Sequence, residues 1–276
     1  MKSYLPKIIG AMVNAASYIS SQYAAKFAIN LFSIPRKGEI TPVQSEYLQT
    51  ATQSNIIVEN ISLKVYHWKG HKETVLLAHG WESNTYRWKE LVQQLRVKDY
   101  NIIAFDAPAH GASKGKYFNA LLYADCIYAI ANQYMANAII GHSVGGMSAM
   151  FSQHKYKLKS IKKIVLLGAP ADFIAIFNSY EKIMGYNKRV SEAIKNYILK
   201  YYNHLPTYFS ASTFSKKIKP KGLIIHDKKD RIIPYTDALK FKKNYVNASF
   251  ISTIGLGHRL KSTLVDNHIL EFLETA

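Results

Sequence analysis

The chain of 276 residues contains one cysteine, Cys126. A single cysteine excludes an internal disulfide and a cysteine-based metal cluster, and nothing here demands an oxidising compartment. Cys126 lies in the apolar, helix-like run 121–127, where it reads as a small buried hydrophobe and not as a reactive thiol. Acidic residues are also scarce: 18 against 36 basic ones, a formal net charge of +18. Arginine is scarcer still, confined to Arg36, Arg87, Arg96, Arg189, Arg231 and Arg259. Bidentate reading of phosphates and bases favours arginine, so a charge carried by lysine argues against a nucleic-acid partner. It leaves open a preference for anionic substrates or peripheral contact with an anionic membrane. There is no glycine-rich phosphate loop, internal repeat or low-complexity tract. His67 and His71 are four apart but flank an expected hairpin turn at Gly70, so neither a metal nor a cofactor is expected.

Long uniform apolar runs are missing too. Residues 8–32 come nearest. Ile8, Met12, Ala16, Ile19, Tyr23, Phe27 and Leu31 recur at helical spacing and make one greasy stripe. Asn14, Ser17, Ser20, Ser21, Gln22 and Lys26 interrupt the run, which is too polar for a spanning helix. Lys2 and Lys7 precede it as in an export signal, yet no uniform apolar core leads to a small-residue cleavage site. The expectation is a helix packed on the body of a cytoplasmic protein, with a surface-lying membrane helix and an export signal as alternatives. Residues 1–52 are read as an N-terminal helical extension.

From residue 53 the pattern changes. Ile61, Leu63 and Val65 alternate with polar residues, as in an antiparallel edge hairpin. Then come the continuously apolar runs 75–78, 102–105, 138–140, 164–167 and 223–225, suited to strands buried on both faces of a parallel sheet. Helical stretches such as 87–95 and 120–134 lie between them, giving a mostly parallel, doubly wound α/β architecture. From Asp172 to about Lys219 no apolar strand appears. This tract, rich in Tyr and Phe, is too long for a loop and reads as a helical cap inserted in a core spanning 53–276. Ligands of such sheets bind at the carboxyl ends of the strands, where an aromatic cap would shape an apolar pocket.

The chemistry centres on Gly141-His142-Ser143-Val144-Gly145. The strand-like 138–140 precedes it, and small, flexible residues opening a helix follow. A serine on so tight a turn has its hydroxyl pushed outward, and the glycines leave room for the bend. The same pattern recurs at Gly111-Ala112-Ser113-Lys114-Gly115, but there the preceding strand ends at Asp106, so Ser113 reads as a loop residue. Ser143 on its turn resembles the nucleophile elbow of the α/β-hydrolases, in the serine branch of esterases, lipases and serine aminopeptidases. A serine hydroxyl needs a base, and the base an orienting acid, following the elbow in the order acid, then histidine. His258, in Gly255-Leu256-Gly257-His258 after an expected strand 249–254, fits the base; His268 falls within the last helix. Two acids follow the strand 223–225. Asp230-Arg231-Ile232-Ile233-Pro234 resembles the family's acid turn, which favours Asp230 over Asp227, a position where that pattern usually has glycine. Asp237 and Asp266 fall on helices.

The resemblance further implies an oxyanion hole made by the backbone N–H groups of Val144 and Trp81. Trp81 lies in His79-Gly80-Trp81, similar to the family's His-Gly-aromatic turn, where His79 would hold the turn. Asp106-Ala107-Pro108-Ala109-His110-Gly111 resembles another family turn that usually has glycine at the place of Ala109. His142 is expected to shape the pocket. The expected activity is hydrolysis of carboxylic esters of a small or lipid-like substrate through an acyl-enzyme, without a cofactor. A peptidase, thioesterase or acyltransferase using the same residues, and a non-catalytic ligand-binding protein of this fold, are the alternatives.

Overall fold

Among the described residues, 4–275 of the computed structural model, eight strands form one sheet. They are β1 (Thr52–Val58), β2 (Ile61–Trp68), β3 (Thr74–Ala78), β4 (Asn101–Phe105), β5 (Ala138–His142), β6 (Lys163–Leu167), β7 (Lys221–Asp227) and β8 (Ala248–Thr253). Their order is β1-β2-β4-β3-β5-β6-β7-β8. The hairpin β1–β2 is antiparallel and joins β4 in the same sense, whereas β4, β3, β5, β6, β7 and β8 run parallel. Every residue of β3 and β5 is buried, as their apolar runs 75–78 and 138–140 require. The helices are α1 (Leu5–Ile19), α2 (Ser21–Phe32), α3 (Pro42–Leu48), α4 (Lys89–Val97), α5 (Ala120–Gln133), α6 (Val144–Tyr156), α7 (Phe173–Met184), α8 (Lys188–Tyr202), α9 (Ala211–Ser215), α10 (Tyr235–Asn244) and α11 (Thr263–Glu274).

The contacts divide the chain into two units. The larger comprises Pro35–Ala171 and the chain from Ala211 onward, and so holds the whole sheet. Residues 35–52, set with the N-terminal extension on sequence grounds, fall in this core unit. Gly38 explains why: its carbonyl accepts from Gly111 N at 3.0 Å and from Asn84 Nδ2 at 3.2 Å. The chain after Ala211 also belongs to the core, because Ser212 N donates to Ala171 O at 3.2 Å. Helix α3 starts with a reciprocal cap, Thr41 Oγ1 accepting from Gln44 N and Gln44 Oε1 from Thr41 N, with Pro42 in the first turn.

The smaller unit joins the N-terminal segment through Ile34 to Asp172–Ser210. The inserted segment is closed at its base by an antiparallel bridge between Asp172 and Ser210, reinforced by Ser210 Oγ donating to Asp172 Oδ1 at 2.5 Å. The N-terminal helical run is two helices, not one. Ser20 is extended (φ −150°, ψ 104°), which ends α1, and its hydroxyl caps α2 by accepting from Tyr23 N at 3.2 Å. The face packed inward consists of small residues: Gly10, Val13 and Ser17 of α1, and Ala24, Ala25 and Ala28 of α2. A Cβ at Gly10 would stand 1.8 Å from Met184 O, so α1 touches the end of α7 backbone to backbone. Asn14 uses both ends of its amide there, donating to Gly185 O and accepting from Asn187 N at 2.9 Å each. Arg189 Nε donates to Ser17 O at 2.8 Å, and Tyr180 OH to Ala28 O at 3.0 Å.

A side chain at position 10 therefore has nowhere to go. Gly10→Ala is expected to destabilise the smaller unit by about 1–3 kcal/mol, the usual cost of overpacking. Thermal unfolding and limited proteolysis of the first 34 residues check this, with the exposed Ala11→Ser as control. An unchanged cleavage rate and melting temperature would contradict the backbone contact.

Candidate active site

The strand β5 ends at His142, and α6 begins at Val144, so a single residue turns the chain through the elbow. That residue, Ser143, has φ 54° and ψ −126°, a conformation an L residue adopts only under constraint. The crowding around it is severe. A Cβ on Gly145 would meet Ala78 O at 2.3 Å, and one on Gly141 would meet Gly146 Cα at 2.5 Å. Ser143 N donates to Leu167 O at 2.8 Å, which ties the turn to the neighbouring strand β6.

Three residues distant in sequence meet at this turn. His258 Nε2 lies 3.0 Å from Ser143 Oγ, and His258 Nδ1 lies 2.8 Å from Asp230 Oδ2. The side chain of Asp230 is buried, and burial pushes its carboxyl up. Donors outweigh that effect: the rings of His226 and His258 at Oδ2, and the N–H groups of Ile233 and Ile232 at Oδ1 (3.0 and 2.8 Å). The carboxyl is held well below its usual range, so it is an acceptor. His258 must then carry its proton on Nδ1, which leaves Nε2 free to accept from the serine hydroxyl.

The turn after β3 lies against the elbow, since a Cβ on Gly80 would come within 3.1 Å of Ser143 Cβ. Trp81 follows directly, its indole packed edge-on against His110 and Phe118, each centroid 5.3 Å away. Among the described residues no acceptor takes the N–H of Trp81 or that of Val144, the first residue of α6. Two neutral histidines brace the loops. His79 Nδ1 donates to Gly80 O at 2.8 Å and its Nε2 accepts from Ala107 N at 2.9 Å. His110 Nδ1 donates to Pro108 O at 2.9 Å and its Nε2 accepts from Glu82 N at 3.0 Å. Burial lowers both rings to about 4, so they keep these tautomers at neutral pH. Ala109, where the resembling pattern usually has glycine, has φ 62°, in the left-handed region that glycine adopts most easily.

The other candidates lie elsewhere. Ser113 Oγ donates to Asp106 O at 2.5 Å and accepts from Lys64 N at 2.8 Å, binding its loop to β2. Asp227 is fully buried and accepts from Thr253 Oγ1 (2.8 Å), Lys229 N (2.8 Å), Leu256 N (2.9 Å) and Gly255 N (3.3 Å). It thus binds the turn that carries Asp230 to the loop that carries His258. Burial raises its carboxyl, but these donors win and hold it below the usual range. Asp237 accepts from Ala171 N at 2.9 Å, Asp266 from Gln94 Nε2 at 3.1 Å, and His268 approaches Glu271 at 3.4 Å. Burial pushes the Cys126 thiol up to about 12, far from a reactive thiolate. His67 pairs with Asn101 and His71 with Asp99, and among the described residues no cluster of three metal-ligating side chains occurs.

One contributor, His226, was not singled out from sequence, and His142, expected to shape the pocket, also holds a loop. His226, 1 % exposed on β7, donates from Nε2 to Ile233 O at 3.0 Å and sits 3.4 Å from Asp230 Oδ2. Its spacing of four from Asp230 at a strand end was the available signal. His142 Nε2 donates to the carbonyl of His258 at 2.8 Å, so the elbow itself anchors the histidine loop. Burial, followed by Arg87 and His258, holds His142 well below its ordinary value and keeps it neutral.

Comparison with known proteins agrees with this geometry. A family model described as alpha/beta hydrolase fold matches residues 73–189. The chain is 22 % identical over 253 residues to the AB hydrolase superfamily protein YisY of Bacillus subtilis, covering 77 % of this chain and 91 % of that one. It is 28 % identical over 111 residues to the Karrikin insensitive 2 receptor IA of Petunia hybrida, covering 37 % of this chain and 40 % of the receptor. Among solved structures, the esterase EaEST of Exiguobacterium antarcticum superposes with a TM-score of 0.65 at 16 % identity, over 81 % of this chain and all of the esterase. With the elbow between β5 and α6 and the strand order around it, these matches show that the chain has the α/β-hydrolase fold.

Proposed function

We propose that this protein is a serine hydrolase that cleaves carboxylic esters through an acyl-enzyme. The observation that carries the reading is the relay from Asp230 through His258 to Ser143, at 2.8 and 3.0 Å. In this mechanism Ser143 Oγ attacks the ester carbonyl carbon while its proton passes to His258 Nε2. Asp230 stays ionised and stabilises the imidazolium. The carbonyl oxygen, now an anion, accepts from the N–H groups of Trp81 and Val144, the latter also at the positive end of α6. Each such donor is typically worth ~10²–10³ in rate. The imidazolium then gives its proton to the departing alkoxide. Water, activated by the same nitrogen, attacks the acyl carbon and restores Ser143. Solved esterases with this fold support an ester as the substrate class.

The match to a plant receptor supports a second reading, a ligand-binding protein on the same fold. A fluorophosphonate probe separates the two. The wild type is expected to be labelled and Ser143→Ala not, with hydrolysis of a p-nitrophenyl ester falling by about 10³-fold or more in the variant. An unlabelled, inactive wild type would sink the enzymatic reading. A labelled enzyme that prefers an alcohol or amine acceptor over water would make it a transferase.

The two acids at the end of β7 are expected to behave differently. Asp230→Asn should lower kcat by about 10³–10⁴-fold, through loss of the histidine tautomer. Asp227→Asn should lower activity far less but cost about 2 kcal/mol of stability at neutral pH, through weakened bonds to a charged acceptor. Because the folded-state pKa of Asp227 lies below its unfolded value, its contribution is present above the ordinary carboxylate range. It is lost as pH falls through the folded pKa. The stability gap between wild type and Asp227→Asn should therefore narrow in acid, as denaturant titrations at several pH values would measure.

A further inference from the structure

The smaller unit presents an apolar face that nothing within it covers. With small residues packed inward, Leu5, Ile8, Met12 and Ile19 of α1 point outward at 58, 56, 68 and 93 % exposure. Their spacing places them within an arc of roughly 60° on the helix. Tyr4 and Tyr18 flank the stripe at 75 and 72 % exposure, and Tyr23 and Phe27 on α2 are also exposed. Eight of the 24 exposed large hydrophobic side chains among the described residues fall between Tyr4 and Phe27. Scattered surface apolar residues need no explanation, but an aligned stripe does.

The charge around the stripe says what would cover it. The first 38 residues contain five basic residues (Lys2, Lys7, Lys26, Arg36 and Lys37) and no Asp or Glu, in a chain of net charge +18. Lys7 and Lys26 are exposed. An apolar face flanked by tyrosine, in a segment whose charged residues are all basic, matches the interface of an anionic lipid bilayer: the apolar side chains enter the acyl boundary, the tyrosines sit at headgroup depth, and the ammonium groups of the segment meet lipid phosphates. Helix α1, with 15 residues, is about 22 Å long, short of the roughly 30 Å of a hydrocarbon core. Among the described residues no helix is long and apolar enough to cross a membrane. We propose that the outward face of α1 docks this protein on anionic membrane surfaces, with α1 lying in the plane of the interface. The proposal rests on helix geometry and charge, independently of the chemistry assigned to Ser143.

The test is co-flotation of the full chain with phosphatidylcholine vesicles, with and without phosphatidylglycerol. The wild type is expected to float with the anionic vesicles, less with the neutral ones, and less as salt rises. The double variant Ile8→Glu/Met12→Glu should bind about tenfold less or weaker. Both side chains are exposed, so its melting temperature and fluorophosphonate labelling should stay at the wild-type level. A Tyr18→Trp reporter should shift to the blue on vesicles and be quenched by brominated lipid. Wild type that stays out of both vesicle types overturns the proposal. So does vesicle binding unaffected by the double variant. A chain that instead dimerises through the stripe, with Met12→Glu releasing monomers and no vesicle binding, overturns it in favour of a second copy as the occupant. Failure of labelling alone would count against the hydrolase reading and leave the docking result standing.

Discussion

The site depends on one backbone constraint, the strained Ser143 at the end of β5. A non-glycine residue at φ 54°, ψ −126° costs on the order of 1–3 kcal/mol and persists only where its surroundings over-determine it. Here the surroundings are backbone. Gly145 is pressed against the carbonyls of Ala78 and His79, Gly141 against Gly146, and Gly80 against His142 and Ser143. The hydroxyl cannot relax back into the sheet because β3 and β6 occupy the space on either side of β5. The same turn aims the first N–H groups of α6 outward beside the serine, so the strain that turns the hydroxyl out of the sheet also arranges the donors next to it.

Around that turn, buried polar groups are distributed so that each loop holds another. Asp227 collects backbone donors from the loop of His258, and Asp230 collects the ring of His258 together with donors of its own turn. His142 reaches from the elbow to the carbonyl of His258. Burial would drive the two carboxyls toward the neutral form, yet in each case the converging donors, led for Asp227 by the Thr253 hydroxyl, reverse the effect. His79 and His110 do the opposite work: as neutral rings, each donates with one nitrogen and accepts with the other, bridging loops without a charge near the serine. A protonated imidazole could make only half of those bonds.

Much of this was legible in the residues. The unbroken apolar runs identified the parallel strands because a strand covered on both faces leaves no room for alternation. The distance from strand end to serine separated Ser143 from Ser113, since an elbow needs its strand immediately before it. Asp230 and His258 were legible as positions after strands. Less legible was the bracing. His226 follows an apolar run and looks like the first polar residue past the strand; only the depth of β7 shows it to be buried beside Asp230. The departure at Asp227 was visible but its meaning was not, because four donors from two different loops converge on it in three dimensions only.

The N-terminal helices show a different limit of sequence reading. Periodicity identifies which residues share a face, and Ile8, Met12 and Ile19 do share one. It carries no information on which face turns inward. The usual assumption is that the greasier face does, because burying large apolar side chains gains most. That assumption fails where a neighbour can approach more closely than large side chains permit. At Gly10 the backbone of α1 meets the end of α7, and Asn14, Arg189 and Tyr180 supply hydrogen bonds that only such proximity allows. Small residues therefore take the inner face, and the bulky stripe is displaced outward. The hydrophobic cost of that exposure is not recovered within the unit.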